Sequence, residues 1–371
     1  MSRIATVLVS AVLICGAMLF TALTTPVFKS APLGDFTFTF YPAANYALRG
    51  ENIYFNAYPN PYTGREYPPY SPVWIVNHAL PFAFLPLAQA EALRLYIELA
   101  LLPLIVWVTA RWAKLKQGGR IILLGVAPWF IVLLSAGQIL IVLWAGVMLC
   151  YYGLKNARAA WVGIGIFFLL LKPHLFVLIL IAVALYAWRG RILMRALVWT
   201  VGLSLLSSII QPGWIGDVWA LTVERLTHPR TADSVLLLPF YPWAQLLLLG
   251  ASAAAFIIFF TRDKTASPTR WLWALLINVG LVAALHTFVY DWLLLLFPIA
   301  LVLKTRSGVA ATIVVYGYAL VWAIGNLAMG LPLPSPAFIP AIVLVLLCIA
   351  GWSVTNGKPL RLTRHAFDTA E

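Results

Sequence analysis

Charged residues are scarce in this chain. They make up 10% of its 371 residues, against 63% hydrophobic ones, and the mean hydropathy is +0.92. A soluble domain needs a largely polar surface, so this balance excludes one. In lipid, a long apolar stretch must satisfy its own backbone hydrogen bonds, which a helix does. The composition therefore predicts an all-α polytopic integral membrane protein.

The usual catalytic and metal-binding motifs are also missing. The three cysteines, Cys15, Cys150 and Cys348, lie in hydrophobic runs and are read as packing residues. The chain has no His-Glu-x-x-His sequence, no Asp-x-Asp in its first polar loop, no glycine-rich phosphate loop and no Gly-x-Ser-x-Gly turn. No metal site and no firm cofactor are predicted. A divalent metal stays an alternative without support from ligand spacing.

The formal net charge of +13 has two readings. A basic protein can bind nucleic acid, but here no basic stretch accompanies a soluble fold. In membrane proteins, lysine and arginine accumulate in the cytoplasmic loops. We therefore expect membrane lipids as partners and no nucleic acid.

The basic clusters select a topology. When residues 71–87 are kept at the outer surface, all the clusters fall on the cytoplasmic side. This choice predicts about twelve spans in a multi-pass plasma-membrane protein with both termini cytoplasmic. The predicted spans are 4–25, 92–110, 121–136, 139–154, 160–172, 174–188, 196–211, 236–260, 271–287, 291–304, 308–330 and 337–354.

The polar sequence is concentrated in loops on the predicted outer face. We expect a single membrane domain over 1–371, with a first extracytoplasmic loop at 28–91 that contains juxtamembrane helices. A second, larger extracytoplasmic loop is predicted at 212–235. Long loops between apolar spans are places where water-facing chemistry can sit. The predicted active site is therefore extracytoplasmic.

Asp35 is the first candidate for chemistry. It precedes Phe36, Phe38, Phe40 and Tyr41, and a carboxylate beside aromatic surface can have a raised pKa and act as a base. The alternative is a loop aspartate that only caps a helix over residues 36–48.

Lys172 and His286 are the next candidates. Lys172 lies in an apolar stretch and is followed by Pro173, so its ammonium group either binds an anion such as a lipid phosphate or snorkels at a helix end. His286 precedes Tyr290 and Asp291. It either donates to a phosphate or a sugar hydroxyl, or is a packed histidine held by Asp291.

Several short motifs together resemble a known family, the GT-C glycosyltransferases. Within them, the chain resembles family 87, the polyprenol-phosphate-mannose-dependent alpha-mannosyltransferases. The resemblance is carried by Asp35 with the following YPAANYALRGENIY, by YPP at Tyr67–Pro69, by SAGQ at Ser135–Gln138, by Lys172-Pro173 and by the late His286. Thr287 stands where the family usually has an aromatic residue or a second histidine.

The resemblance implies a GT-C-like fold and an inverting hexosyl transfer. The donor would be a polyprenyl-phosphate sugar and the acceptor a lipid or glycan on the outer face. Asp35 matches the family's catalytic aspartate and His286 its late functional histidine. An inverting transfer needs one base and a cation for the leaving phosphate, for which Lys172, Arg65 and His286 are candidates. Tyr67, Gln138, Tyr290 and Asp291 complete the predicted substrate site, and Trp74, Phe82 and Phe84 form a predicted apolar rim for the prenyl tail.

Two other functions are weighed against this one. A transporter or flippase of lipid-linked sugars would need ionisable residues along a path through the membrane, and the sequence offers few besides Glu91 and Glu98 in the outer half of one span. A structural subunit of a larger complex would leave the polar first loop unexplained.

Overall fold

The computed structural model describes residues 35–56, 58, 72–123, 139–227, 243–263, 265, 267–284, 289–304, 309, 312 and 339–354. All regular secondary structure in these ranges is helical, and they contain no strand. The predicted all-α class is therefore confirmed. The predicted span 4–25, and most of 121–136 and of 308–330, lie outside the described residues.

Eleven α-helices form the described part of the fold. They are α1 (Tyr41–Leu48), α2 (Leu87–Trp112), α3 (Leu140–Lys155), α4 (Ala159–Leu169), α5 (Pro173–Arg189), α6 (Leu193–Ser208), α7 (Trp214–Thr227), α8 (Trp243–Arg262), α9 (Arg270–Ala283), α10 (Leu296–Val302) and α11 (Ile339–Val354). A π-helical turn at Phe36–Phe40 leads into α1, and 3₁₀ helices occur at Val73–His78, Leu80–Phe82 and Val289–Leu295.

The predicted spans differ from these helices mainly at their ends. Helix α2 begins at Leu87, five residues before its predicted start, because Pro86 has extended backbone (ψ 144°) that ends the preceding segment. The tightly bent 72–86 region holds only short 3₁₀ helices. The polar loop after α6, predicted without a helix, contains α7.

Among the described helices, α2 is the one that is long and apolar enough to cross a membrane. It has 26 residues and a mean hydropathy of 1.7 over its most apolar 18 residues, whereas the other apolar helical segments in the described ranges are 10–17 residues long. A crossing helix needs about 20 apolar residues. The described chain thus offers one strong candidate span and several short ones.

Consecutive antiparallel helices give the bundle two ends. Helices α3 to α6 run up and down through tight turns, α4 also packs along α6, and α9 packs along both α5 and α11. A Cβ added at Gly163 would lie 2.3 Å from the Ala196 carbonyl oxygen, so glycine permits the close approach of α4 and α6. We name the ends after the residues that flank α5: the Lys172 end and the Arg189 end.

Three helices that end in basic sequence stop in the same way. After α2, α3 and α5, the residues Lys114, Ala157 and Arg191 have positive φ (56°, 52° and 56°). The next amide then bonds back to a carbonyl five residues earlier, as in Arg158 to Gly153 at 2.8 Å. This is the Schellman arrangement, which satisfies the last carbonyls of a helix.

Exposed apolar side chains and buried polar side chains occur together in the bundle. Large apolar side chains of α6 are exposed, and Met194, Val198 and Leu205 are 73%, 71% and 65% accessible. Buried polar side chains include Thr109, Lys172, Asn278 and Asp291. Met194, Val198 and Leu205 lie on one face of α6, and this apolar face points outward. The buried polar groups face neighbouring helices.

Candidate functional site

The Lys172 end contains a buried ion pair. The Lys172 Nζ lies 2.7 Å from the Asp291 Oδ1, although the two residues are 119 positions apart. Lys172 is 9% exposed and Asp291 is fully buried. Sequence reasoning singled out both residues, and the structure brings them together.

Local backbone explains how each partner is presented. Lys172 is the N-cap of α5, with φ −136° and ψ 65°, because Pro173 starts the helix and restricts the residue before it. Asp291 lies in the first turn of the 3₁₀ segment Val289–Leu295, which precedes α10. Both residues therefore sit at element ends, where a side chain can leave its own helix.

The pair corrects one reading of Lys172. A snorkelling lysine would place its ammonium group in the interface, whereas this ammonium group lies inside the protein against a carboxylate. The bond between two buried charges offsets part of the cost of removing them from water, and losing one partner leaves the other uncompensated. Asp291 was also considered as the partner of His286, which lies outside the described residues.

Asp35 lies at the start of the π-helical turn that leads into α1. It is partly buried, and its side chain makes no capping hydrogen bond to the helix. The helix over residues 36–48 predicted from the sequence is present, but Asp35 does not act as its side-chain cap. The next residue, Phe36, is fully buried and packs edge-on against Phe82 at 5.7 Å between ring centroids.

The segment Val73–His78 links the helical segment that follows Asp35 to the Lys172 end. His78 packs against Phe40 with ring centroids 4.8 Å apart, and the Asn77 amide donates to the Ser207 hydroxyl at the end of α6 (3.0 Å). Trp74 stacks on Phe167 near the end of α4. These contacts join the Asp35 segment to the helix ends that flank Lys172.

Trp74 corrects the predicted apolar rim. It is only 5% exposed, because Phe167 and Trp214 each lie 5.1 Å from it between ring centroids. Phe84 is 76% exposed and Phe82 is intermediate. An aromatic residue in an apolar run indicated a surface, but tertiary packing places Trp74 between helices instead.

Two predicted outer loops meet at Asp217. Its carboxylate accepts hydrogen bonds from the Asn52 side-chain amide at 3.1 Å and from the Gln211 side-chain amide at 2.6 Å. The side-chain oxygen Oε1 of Gln211 accepts from the Ile53 N–H at 2.9 Å. Residues some 160 positions apart are thus held side by side. We call Asn52, Ile53, Gln211 and Asp217 the loop junction.

Buried tyrosines stiffen the chain next to the loop junction. The Tyr58 hydroxyl donates to the Ile53 carbonyl, and the Tyr58 ring packs edge-on against Tyr46. Burial raises the pKa of Tyr54 and of Tyr58 well above the usual range, and the Asp217 charge adds to the effect on Tyr54. Both phenols therefore remain neutral hydrogen-bonding groups at physiological pH.

Sequence reasoning named Glu91 and Glu98 but missed the polar stripe that they form with Arg94 on α2. Glu91, Arg94 and Glu98 are spaced by three and four residues, which places them on one helical face. Glu91 accepts a hydrogen bond from Thr37, and Arg94 pairs with Glu98. The spacing within an otherwise apolar helix was the signal that could have identified the stripe.

His78 was also not singled out as a site residue. Its Nδ1 lies within hydrogen-bonding distance of the Ile75 carbonyl oxygen, which makes Nδ1 the protonated nitrogen of a neutral ring. Its Nε2 is buried and has no partner among the residues that the structure describes. Burial, followed by the nearby positive charge of Arg94, lowers the pKa of His78 to about 4.

The remaining predicted residues stay as sequence predictions. Arg65, Tyr67, Gln138 and His286 lie outside the described residues, and of Tyr290 only the backbone is described. Within the described ranges, no three histidine, cysteine, aspartate or glutamate side chains form a group that could hold a metal ion. The described candidates are therefore Asp35, the Lys172–Asp291 pair and the loop junction.

Comparison with known proteins adds no assignment: no family model, no curated protein and no solved structure matches the chain.

Proposed function

We propose that this protein is an integral membrane glycosyltransferase, an alpha-mannosyltransferase by the resemblance of its sequence. It would transfer a hexose from a polyprenyl-phosphate donor to a lipid or glycan acceptor on the extracytoplasmic face, with inversion. The observation that carries the proposal is the buried Lys172–Asp291 pair at the bundle end that also holds Asp35. A base and a cation are the two groups that such a transfer requires.

Placement in a membrane is part of the proposal. The exposed apolar side chains of α6 and the length of α2 support it, because lipid favours apolar outer surfaces. The topology of about twelve spans is supported by the Arg189 end, where Lys155, Arg158, Arg189, Arg191 and Arg195 gather. The Lys172 end would then face the outside of the plasma membrane.

In the proposed reaction, the acceptor hydroxyl oxygen bonds to the anomeric carbon of the donor sugar. Asp35 takes the hydroxyl proton, and the bond between the anomeric carbon and the phosphate oxygen breaks with its electron pair on that oxygen. The products are the glycosylated acceptor and the polyprenyl phosphate. No separate acid is needed, because the phosphate is already a good leaving group.

Lys172 would stabilise the leaving phosphate as a compact positive charge. In the described structure its ammonium group contacts Asp291. A donor phosphate would therefore share or replace this carboxylate, and Asp291 would hold Lys172 in place before the donor binds. Arg65 and His286 remain candidates for further phosphate contacts, and Tyr67, Gln138 and Tyr290 for sugar contacts.

The first test is transfer of label from radiolabelled polyprenyl-phosphate-mannose to membrane lipids. Purified wild-type protein is compared with Asp35→Asn, Lys172→Met and, as a control for loss of a lysine at the opposite end, Lys155→Met. The proposal expects transfer by the wild type and by Lys155→Met, and loss in the other two variants. Transfer by Asp35→Asn would exclude Asp35 as the base.

One observation favours the transporter as a second candidate. The buried Arg94–Glu98 pair lies inside the strongest candidate span, where a transport path would need charged groups. If the protein moves lipid-linked sugars, vesicles that contain it would scramble a fluorescent polyprenyl-phosphate sugar between leaflets without forming a new glycoside. Asp35→Asn would leave that movement intact.

A further inference from the structure

The two residues that follow Asp35 are both anchored to the polar stripe of α2. The Arg94 guanidinium lies over the buried Phe36 ring, 5.1 Å from its centroid. The Thr37 hydroxyl donates a hydrogen bond to the Glu91 carboxylate. A cation over an aromatic face and a hydroxyl bonded to a carboxylate are specific in direction, unlike simple apolar packing. The start of the Asp35 helix is therefore held by two directional contacts.

The stripe that provides these anchors is itself held in place. Arg94 pairs through its Nη1 with the Glu98 Oε2 one helical turn further on, and the two side chains are 8% and 12% exposed. On the other side of α2, Leu93, Ile97 and Leu104 are 44%, 43% and 50% exposed. The charged stripe thus faces the protein, and its direction is set by the helix and by an internal ion pair.

Further contacts hold the same helix against the 72–86 region. The Tyr41 hydroxyl donates to the Leu85 carbonyl at 2.7 Å, and Phe36 packs on Phe82. These contacts help to fix the position of the helix axis. The contacts to Glu91 and Arg94 add charged side chains that act on the two residues following Asp35.

We infer that Glu91 and Arg94 are positioning residues, which set the direction of the Asp35 carboxylate by holding Phe36 and Thr37. The inference rests on the proposed function, in which Asp35 takes the proton of the acceptor hydroxyl. Asp35 immediately precedes the two anchored residues, so the contacts of Phe36 and Thr37 set the position of the backbone that carries its carboxylate. A displacement of about 1 Å at a reacting group can lower the rate by about 100-fold.

The test is a double-mutant cycle between Thr37→Val and Glu91→Ala, with transfer and hydrogen exchange as readouts. Thr37→Ser and Glu91→Gln keep the hydrogen bond and serve as conservative variants, and Glu51→Gln removes an exposed charge outside the network. We expect Thr37→Val and Glu91→Ala each to lower kcat by about 10- to 100-fold with KM little changed. The double variant should be no worse than either single one, because both remove the same contact.

Arg94 is tested separately through Phe36. Replacing Arg94 with Gln should lower kcat in the wild type but have little further effect when Phe36 is already Leu, since the cation–π contact is then absent. Amide hydrogen exchange over residues 35–48 should rise in Thr37→Val, Glu91→Ala and Arg94→Gln, and stay unchanged in Glu51→Gln. Recovery of kcat in Thr37→Ser and Glu91→Gln would distinguish positioning from general loss of folding.

The outcomes separate this inference from the proposed function. If Asp35→Asn is inactive while Thr37→Val and Glu91→Ala keep full kcat, the positioning role is wrong and the base assignment stands. If Asp35→Asn keeps full activity, the base assignment is wrong, and the positioning role fails with it. Unchanged exchange over 35–48 in all network variants overturns the inference whatever the activity, because the stripe would then not hold the helix.

Discussion

The two ends of α5 hold cations in different ways. At the Arg189 end, the Arg189 guanidinium donates to the backbone carbonyls of Phe260, Asp263 and Thr265, and lies 3.7 Å from the centroid of the Phe260 ring. At the Lys172 end, the Lys172 ammonium group meets the carboxylate of Asp291. One cation caps the end of α8, and the other compensates a buried charge.

The difference separates a structural cation from a candidate functional one. A planar guanidinium matches several carbonyl groups at once and stabilises the end of a helix, where the dipole is negative. A lysine paired with a buried carboxylate is less favourable, because both charges were taken out of water. This contrast supports the choice of the Lys172 end for the proposed phosphate site.

The largest effect on stability is expected when only one partner of the Lys172–Asp291 pair is replaced. Asp291→Ala or Lys172→Met should each lower the free energy of unfolding by about 3–5 kcal/mol, since each leaves a buried charge without its partner. Thermal unfolding in detergent would measure it. The double variant Lys172→Met/Asp291→Leu should recover most of the stability but not the transfer activity. Equal losses in the single and double variants would show that the pair does not act as a unit.

Removal of the Arg189 guanidinium, at the other end of α5, should lower the free energy of unfolding by less. Arg189→Ala loses three hydrogen bonds to carbonyls and two cation–π contacts, with Phe260 and Tyr186, but the carbonyls lie at a helix end where water can replace the donor. We expect a loss of about 2 kcal/mol in unfolding free energy and unchanged transfer. Arg189→Lys should recover only part of the loss, because an ammonium group lacks the planar fork. Loss of transfer in Arg189→Ala would contradict the contrast between the two ends.

The loop junction should show a smaller effect, confined to the Lys172 end. Asp217→Ala removes the acceptor of the Asn52 and Gln211 amides and should lower the free energy of unfolding by about 1 kcal/mol. Asp217→Asn keeps one acceptor oxygen and should cost less. Amide hydrogen exchange should rise over residues 51–56 in Asp217→Ala and remain constant near Arg189. A uniform rise across the chain would contradict a local junction.

The smallest effect on stability near neutral pH should come from the protonation of His78, which lies at the Lys172 end. Its pKa in the folded protein is about 4, below the usual value near 6.5, so the unfolded chain takes up the proton first. Stability is therefore full above about pH 6.5 and declines as the pH falls towards 4. Melting temperatures from pH 7.5 to 4.5 would record the decline, and His78→Gln should have a shallower slope. An identical slope in both proteins would exclude the effect.

Much of the helical pattern could be read from the sequence, because apolar runs and basic clusters are local signals. The spans predicted at 139–154, 174–188 and 337–354 differ from α3, α5 and α11 by at most two residues at either end. The helix α7 was missed, since its polar residues Asp217 and Glu224 interrupt the apolar signal that a span would have. Its exposed Ile215 and Trp219, four residues apart, are the amphipathic pattern that could have revealed it.

The individual residues of the candidate site could be predicted from the sequence, but the contacts between them could not. Lys172 stood out because an ionisable group in an apolar stretch is costly, and this cost is visible in a local window, whereas Asp291 was named as a possible partner of His286. Their pairing was not visible, because it joins residues 119 positions apart through the packing of α5 and α9. Trp74 was wrongly assigned to the apolar rim for the same reason. A short stretch of sequence does not distinguish an apolar side chain at a surface from one packed between helices.

The sequence by itself determined the helical class, the excess of basic residues in short turns and the individual candidates Asp35, Lys172 and Asp291, because composition and local periodicity carry that information. Only the tertiary structure decided that Lys172 pairs with Asp291, that Asp217 joins two loops, and that Glu91 and Arg94 hold the residues next to Asp35. These contacts depend on how helices distant in the chain pack together. Their directions are set by backbone geometry that no short stretch of sequence contains.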